Sequence, residues 1–187
     1  MKKIFLFVAG FFLVATVSQA QIKFGAKGGV NISNIDIEVE GLSFSPDSKT
    51  SFHLGVMAKY QLSEQFAIQP ELVYSAEGAD FEGDDFDLNF INIPILFAYN
   101  PTEILSIHAG PQIGILSSAE VDGEDIKDDL KGVNLSVAIG AAVELANGFT
   151  GGVRYNLGLS DLNDAEGDDT SLKANTFQIF VGYFFIK

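Results

Sequence analysis

Residues 82–100 read EGDDFDLNFINIPILFAYN, four acids within six residues followed at once by an apolar run. From Ile91 onward the large apolar side chains fall on alternate positions, Ile91, Ile93, Ile95, Phe97 and Tyr99, with Asn92 and Pro94 among the residues between them. A period of two is that of a β-strand, whose successive side chains point to opposite faces. Either the acids are half of a catalytic or metal-binding carboxylate cluster set on a core, or the two halves of the stretch sit in different solvents.

The same alternation recurs along the chain. From Phe52 the apolar set is Phe52, Leu54, Val56, Ala58, Tyr60 and Leu62, and the intervening set is His53, Gly55, Met57, Lys59 and Gln61. Counting in this way predicts eight strands, at 22–35, 50–61, 66–77, 87–99, 105–117, 132–145, 149–160 and 174–187, with no competing helical pattern of useful length. The connections alternate in length. Those at 62–65, 100–104 and 146–148 are tight and rich in turn residues, whereas those at 36–49, 78–86, 118–131 and 161–173 are long. An up-and-down meander gathers the long ones at one end. They and their flanks hold 21 of the 25 acidic residues.

Composition narrows the possibilities. The net charge of -14 disfavours nucleic acid and bare anionic lipid as partners. A hydrophobic fraction of 47% with 17 Phe is no profile for a disordered acidic tail, so acid and oil must be segregated. The absence of cysteine excludes disulfides and thiolate metal sites. Residues 1–20, MKKIFLFVAGFFLVATVSQA, have a basic start, a short apolar stretch and a small-residue Ser18-Gln19-Ala20 end. We read 1–20 as a cleaved export signal and 21–187 as one barrel domain.

Alternation fits a soluble barrel, apolar inside, and a membrane barrel, apolar outside, equally well. The polar face decides between them. It carries Gly, Ser, Asn and Thr, with only Lys23, Lys27, Lys59, Glu71, Glu144 and Arg154 charged. A watery exterior normally bears far more charge, and a narrow lumen needs small residues and a few pairable charges. The opposite face is oily throughout and collects aromatics near the tight turns, among them Phe24, Tyr60, Phe97, Tyr99, Tyr183 and Phe185, as a lipid-facing girdle does. The expectation is therefore an all-β, eight-stranded antiparallel up-and-down transmembrane β-barrel of the cell outer membrane, with short periplasmic turns and long acidic extracellular loops. Pro70, Pro94 and Pro111 fall inside strands, where each removes a ladder donor, and β-bulges are expected at all three.

Four segments, FGAKGGVNISNI (24–35), IQPELVYSAEGA (68–79), INIPILFAYNP (91–101) and the closing FQIFVGYFFIK, resemble the PorT-like outer-membrane β-barrel proteins of Bacteroidetes. In architecture those proteins are similar to the small OmpA and OmpX barrels. The resemblance spans the mature chain and implies that two of the prolines are family features. It also implies a function of limited definition, since the founding member is linked to assembly of a secretion system and most relatives have no assigned role. The chain departs from the usual aromatic last residue of outer-membrane strands by finishing Phe185-Ile186-Lys187, so the barrel-assembly machinery that inserts it would read Phe185 or a variant signal.

The candidate sites are few. Asp122-Gly123-Glu124-Asp125 and Asp161-Leu162-Asn163-Asp164 offer oxygen ligands for calcium without the EF-hand spacing, and the simpler reading is solvated, mutually repelling loops on the cell surface, with loose cation bridging to lipopolysaccharide around the rim as a middle reading. His53 and His108 face inward, and His53, expected near the acidic rim, is the conceivable general base of an outer-membrane hydrolase. No cofactor or catalytic set is indicated. Lys23, Lys27, Lys59 and Arg154 against Glu71 and Glu144 read as a lumen network or as the lining of a narrow channel for small solutes. The function expected is a non-enzymatic envelope or surface role in contact with outer-membrane lipid, lipopolysaccharide and envelope protein partners.

Overall fold

The computed structural model describes residues 22–39, 42–44, 46–81, 84–164 and 170–185. The expected export signal at 1–20 lies outside these residues, as do Glu40, Glu82, Glu166, Asp168, Asp169 and the Ile186-Lys187 end. Eight long strands are present: β1 (Ile22–Val39), β3 (Asp47–Gln61), β4 (Phe66–Phe81), β5 (Asp84–Tyr99), β6 (Leu105–Val121), β8 (Val133–Glu144), β9 (Phe149–Gly158) and β10 (Thr170–Phe185). Two short strands, β2 (Leu42–Phe44) and β7 (Glu124–Asp125), extend the hairpins of β1 and β6. Each long strand pairs antiparallel with its neighbours in sequence, and β1 pairs with β10 from Phe24 opposite Phe185 to Val39 opposite Thr170. The sheet is therefore a closed barrel in which every long strand has two partners. In lipid only closure leaves no unpaired strand edge.

The prolines do not bulge. Pro70 opposite Ile95 and Val73 opposite Asn92 keep one register, as do Pro94 opposite Gln112 and Phe97 opposite Ala109. Pro111 pairs with Val137 in an unbroken run. Each proline lacks a donor, but closure fixes the register on both sides of it, so the strand has no freedom to slip. The shifts lie elsewhere, between Ser48 and His53 on β3 and at Asn89/Phe90 opposite β6. At the second, Ser117 is the extra residue, and its hydroxyl donates to the Asn89 carbonyl at 2.9 Å.

Two of the four connections expected to be long, 36–49 and 78–86, are largely strand, and a third, 118–131, is partly so. β4 runs to Phe81 and β5 starts at Asp84, and β1, β3 and β6 likewise continue through the acidic segments. The reason is visible in the opening stretch. Phe86, Leu88 and Phe90 pack inward while Asp85, Asp87 and Asn89 alternate with them, and from Ile91 the apolar side chains of Ile93, Ile95 and Phe97 point outward. The phase of the alternation inverts between Phe90 and Ile91. β1 inverts likewise, with Val30 and Ile32 exposed and Ile35 buried, and so does β10, where Ala174 is buried and Phe177 exposed. Below this level the barrel is oily outside and polar inside. Above it, the barrel is built as a protein in water, with an apolar core of Ile35, Ala79, Leu88, Phe90, Leu116, Ala119, Leu130, Leu162 and Ala174.

Candidate functional site

The interior is layered. At the short-turn end a vestibule of about 540 Å3 is lined by Lys23, Lys59, Asn100, Ser106 and Glu144, with Gln61, Glu64, Thr102 and Glu103 toward its mouth. Glu144 receives Lys23 on Oε1 and Lys59 on Oε2, each at 2.7 Å. β1, β3 and β8 place these groups by the period of two, since Lys23, Lys59 and Glu144 all stand on inward positions.

The next layer closes the lumen. Arg154 of β9 donates through both terminal nitrogens to Glu71 of β4, 2.8 Å to each carboxylate oxygen, the bidentate geometry that guanidinium favours. Lys27 lies 2.6 Å from Glu71 Oε2 as an ion pair rather than a directed hydrogen bond. Gln69 donates to Glu71 Oε1 at 2.7 Å, and Arg154 Nε to His108 Nε2 at 3.3 Å. The Phe180 ring underlies both cations, 5.0 Å from Lys27 Nζ and 5.5 Å from the Arg154 guanidinium carbon. Ion pairs that leave water persist only when geometry and further hydrogen bonds compensate them, and Glu71 meets that demand with three hydrogen-bond donors besides the Lys27 ion pair.

Above it lies a layer of hydrogen-bonded polar side chains. Asn31 donates to Ser75 Oγ and the Ala76 carbonyl and accepts from Gln178, while its Oδ1 stands 2.7 Å from His53 Nδ1. Glu77 accepts from Thr176 Oγ1 at 2.8 Å and from Asn92 at 3.1 Å. The apolar core of the acidic end caps the stack.

The structure thus divides the six expected lumen charges into two sites, Lys23–Glu144–Lys59 and Lys27–Glu71–Arg154. It moves His53 off the acidic rim to a buried place against Asn31, and it buries Glu77, which the loop count had placed in the acidic end. Sequence reasoning missed Phe180 and Phe184, which point inward beside Met57, a residue already on the intervening face. The signal was present in FQIFVGYFF, where Phe180 and Phe184 are aromatics on the face otherwise given to Thr176, Gln178 and Gly182. Interior glycines make the room: a Cβ at Gly25 would meet Met57 Cε and Phe184, and one at Gly29 would meet the Ile179 carbonyl.

The acids of the proposed calcium segments have other partners. Asp122 accepts from the Asp85 amide and begins a left-handed turn with Gly123, and Asp161 accepts from the amides of Asn163 and Leu172. Among the described residues no group of three or more His, Asp or Glu is arranged to hold a metal ion. Lys49 bridges Asp85 at 3.0 Å and Asp87 at 2.9 Å. Its partial burial opposes the charge, but the hydrogen bonds it donates to Asp87 and Asp85 prevail and raise it above the usual lysine range.

Of the expected girdle, Phe24, Tyr60, Phe97, Tyr99, Tyr183 and Phe185 are all exposed on the outer surface near the short turns. Tyr99 pairs with Phe66 at 5.3 Å between ring centres, and Tyr183 meets Phe149 at 5.0 Å and Phe185 at 5.6 Å.

The family described as outer membrane protein β-barrel domain matches residues 17–164. Solved barrels share the fold. Neisserial surface protein A aligns with a TM-score of 0.53 at 14% identity, over 87% of this chain and 97% of its own. Ail, the attachment invasion locus protein of Yersinia pestis, aligns with a TM-score of 0.50 at 16% identity, over 90% of this chain and all of its own. No curated protein matches the chain by sequence at a significant level.

Proposed function

We propose, given that the chain belongs to the outer membrane protein β-barrel domain family, that it is a closed, non-conducting and non-enzymatic outer-membrane barrel that works through its two ends. The observation that carries this reading is the obstructed lumen. The Lys27–Glu71–Arg154 set with Phe180 fills the barrel at mid-height, and the apolar core fills it again at the acidic end. An eight-stranded barrel has an interior that side chains can fill. Here each filling group is also bonded or packed to its neighbours, which supports a structural role for the network over a selectivity lining.

The ends are what the protein offers. The acidic end, facing the cell exterior, presents exposed carboxylates including Glu38, Asp47, Asp80, Asp85 and Glu120 around a rigid, cored extension of the sheet, suited to contact with lipopolysaccharide through bridging cations or with a surface partner. The short turns face the periplasm. The resemblance to PorT-like proteins supports a partner role in a secretion or envelope complex, with delivery by the barrel-assembly machinery.

Conductance in planar bilayers tests the reading. The purified barrel should give no stepwise current at either polarity, and Phe180→Ala combined with Arg154→Ala should leave it closed, because the apolar core still fills the acidic end. Steady unitary openings by the unaltered protein would sink the closed-barrel proposal in favour of a narrow channel.

A further inference from the structure

The vestibule at the short-turn end has the size of a ligand site, about 540 Å3 against roughly 300–1,000 Å3 for small-molecule pockets. Its floor is unbalanced in charge. Glu144 alone answers both Lys23 and Lys59, so two ammonium groups share one carboxylate. Lys59 is buried, and among the described residues its only other bond is a long one of 3.4 Å to Asn100 Oδ1. An ammonium carries three donors; Lys23, whose side chain is 31% exposed, retains donors free to turn toward the cavity.

The walls sharpen the choice of ligand. Asn100, Thr102, Ser106 and Gln61 are neutral and polar, while Glu64 and Glu103 stand exposed at the turns of the mouth. Overhead, Met57, Phe180 and Phe184 close the barrel around a gap of only about 10 Å3, so whatever enters stops beside the lysines. A compact polyanion meets repulsion from Glu64 and Glu103 before it reaches the floor. A single carboxylate backed by a neutral or basic group meets positive charge at the floor and negative charge at the rim, in the order that suits it.

We propose that this vestibule is a carboxylate-binding site, which takes the terminal carboxylate of a small organic acid or of an extended peptide onto Lys23 and Lys59 beside Glu144. The site goes beyond the closed-barrel reading and does not depend on it, because its ligand docks from the periplasmic side without passing through the lumen.

The test uses the full barrel in nanodiscs and a dansylated tripeptide of glycine, lysine and alanine, with either a free C-terminal carboxylate or a C-terminal amide. The free acid should bind about tenfold or more tighter than the amide, the range expected for one charge-assisted hydrogen-bonded contact. Lys23→Gln should weaken binding of the acid. Glu144→Gln should tighten it, because the internal carboxylate competes for the same two ammonium groups; a purely structural role for the triad would not produce that gain. Heat-dependent gel mobility reports whether each variant is folded. Displacement of the peptide by equal concentrations of sodium acetate assigns the site to small acids, and weak displacement assigns it to chain termini; both uphold the proposal. Equal binding of acid and amide, or unchanged or weaker binding by folded Glu144→Gln, overturns it.

Discussion

Glu71 is the residue on which the lumen depends most. It pairs with both Lys27 and Arg154 inside the lumen, and its own side chain is fully buried. Removing one partner from such a set leaves charge uncompensated, so Glu71→Gln should destabilise the barrel by about 3–5 kcal/mol. Lys23→Gln, at a partly exposed pair, should cost only about 0–1 kcal/mol. Urea titration of both variants in detergent micelles checks the contrast, and equal costs would mean that the mid-lumen network is not the keystone. Gly29 is a second sensitive point. A side chain there would run into the Ile179 carbonyl and the His53 ring, so Gly29→Val should shift the melting of the folded form to lower temperature, as followed by gel mobility.

At the scale of the strand, the phase inversion between Phe90 and Ile91 fixes where lipid begins. Ile93 is exposed to lipid on β5 and paired with Ile113, so Ile93→Arg should cost about 2–4 kcal/mol near mid-membrane, while Leu62→Arg in a short turn should cost about 0–1 kcal/mol. Asn92 is not a neutral control, because it is buried and donates to Glu77. Folding into vesicles, followed against urea, measures both substitutions.

The cap of the acidic end should respond to pH through Asp161. Burial of Asp161 opposes its ionisation, but the amides of Leu172 and Asn163, with Lys131 at 3.7 Å, outweigh this and hold its carboxyl below the usual range. A depressed carboxylate contributes stability that is full above its unfolded value, about 4, and fades as pH falls below it. Leu162, which this segment seats in the core and which bonds backbone-to-backbone with Leu172 and Lys131, should therefore lose amide-exchange protection below about pH 4 while β4 and β5 keep theirs. Asp161→Asn should abolish the pH dependence.

For the molecule as a whole, closure is the organising event. β1 and β10 are distant in sequence, and their pairing converts a meander with two raw edges into a ring. A chain lacking residues 170–187 should fail to show the heat-dependent shift in gel mobility that marks a folded barrel, while the intact chain shows it. Strand number, order, tight turns and the outward oily face follow from a period-two pattern that each strand carries within itself, which is why they could be read locally. The proline register could not. A single strand with proline favours a bulge, but a strand held on both sides keeps its register and forgoes the donor.

The sequence by itself determined an all-β barrel, oil outside and small polar residues inside. Those properties depend on side-chain chemistry repeating at a fixed local interval. Only the tertiary structure decided that the acidic segments continue the strands around an apolar core, that six interior charges form two separate sites, and that Phe180 and Phe184 close the lumen. Those outcomes depend on which inward positions of distant strands reach the same height, and that height is set by the register of a closed ring. In EGDDFDLNFINIPILFAYN, Asp85 and Asp87 alternate with the inward Phe86, Leu88 and Phe90 of the apolar core, and beyond Ile91 the large apolar side chains of Ile93, Ile95 and Phe97 turn outward.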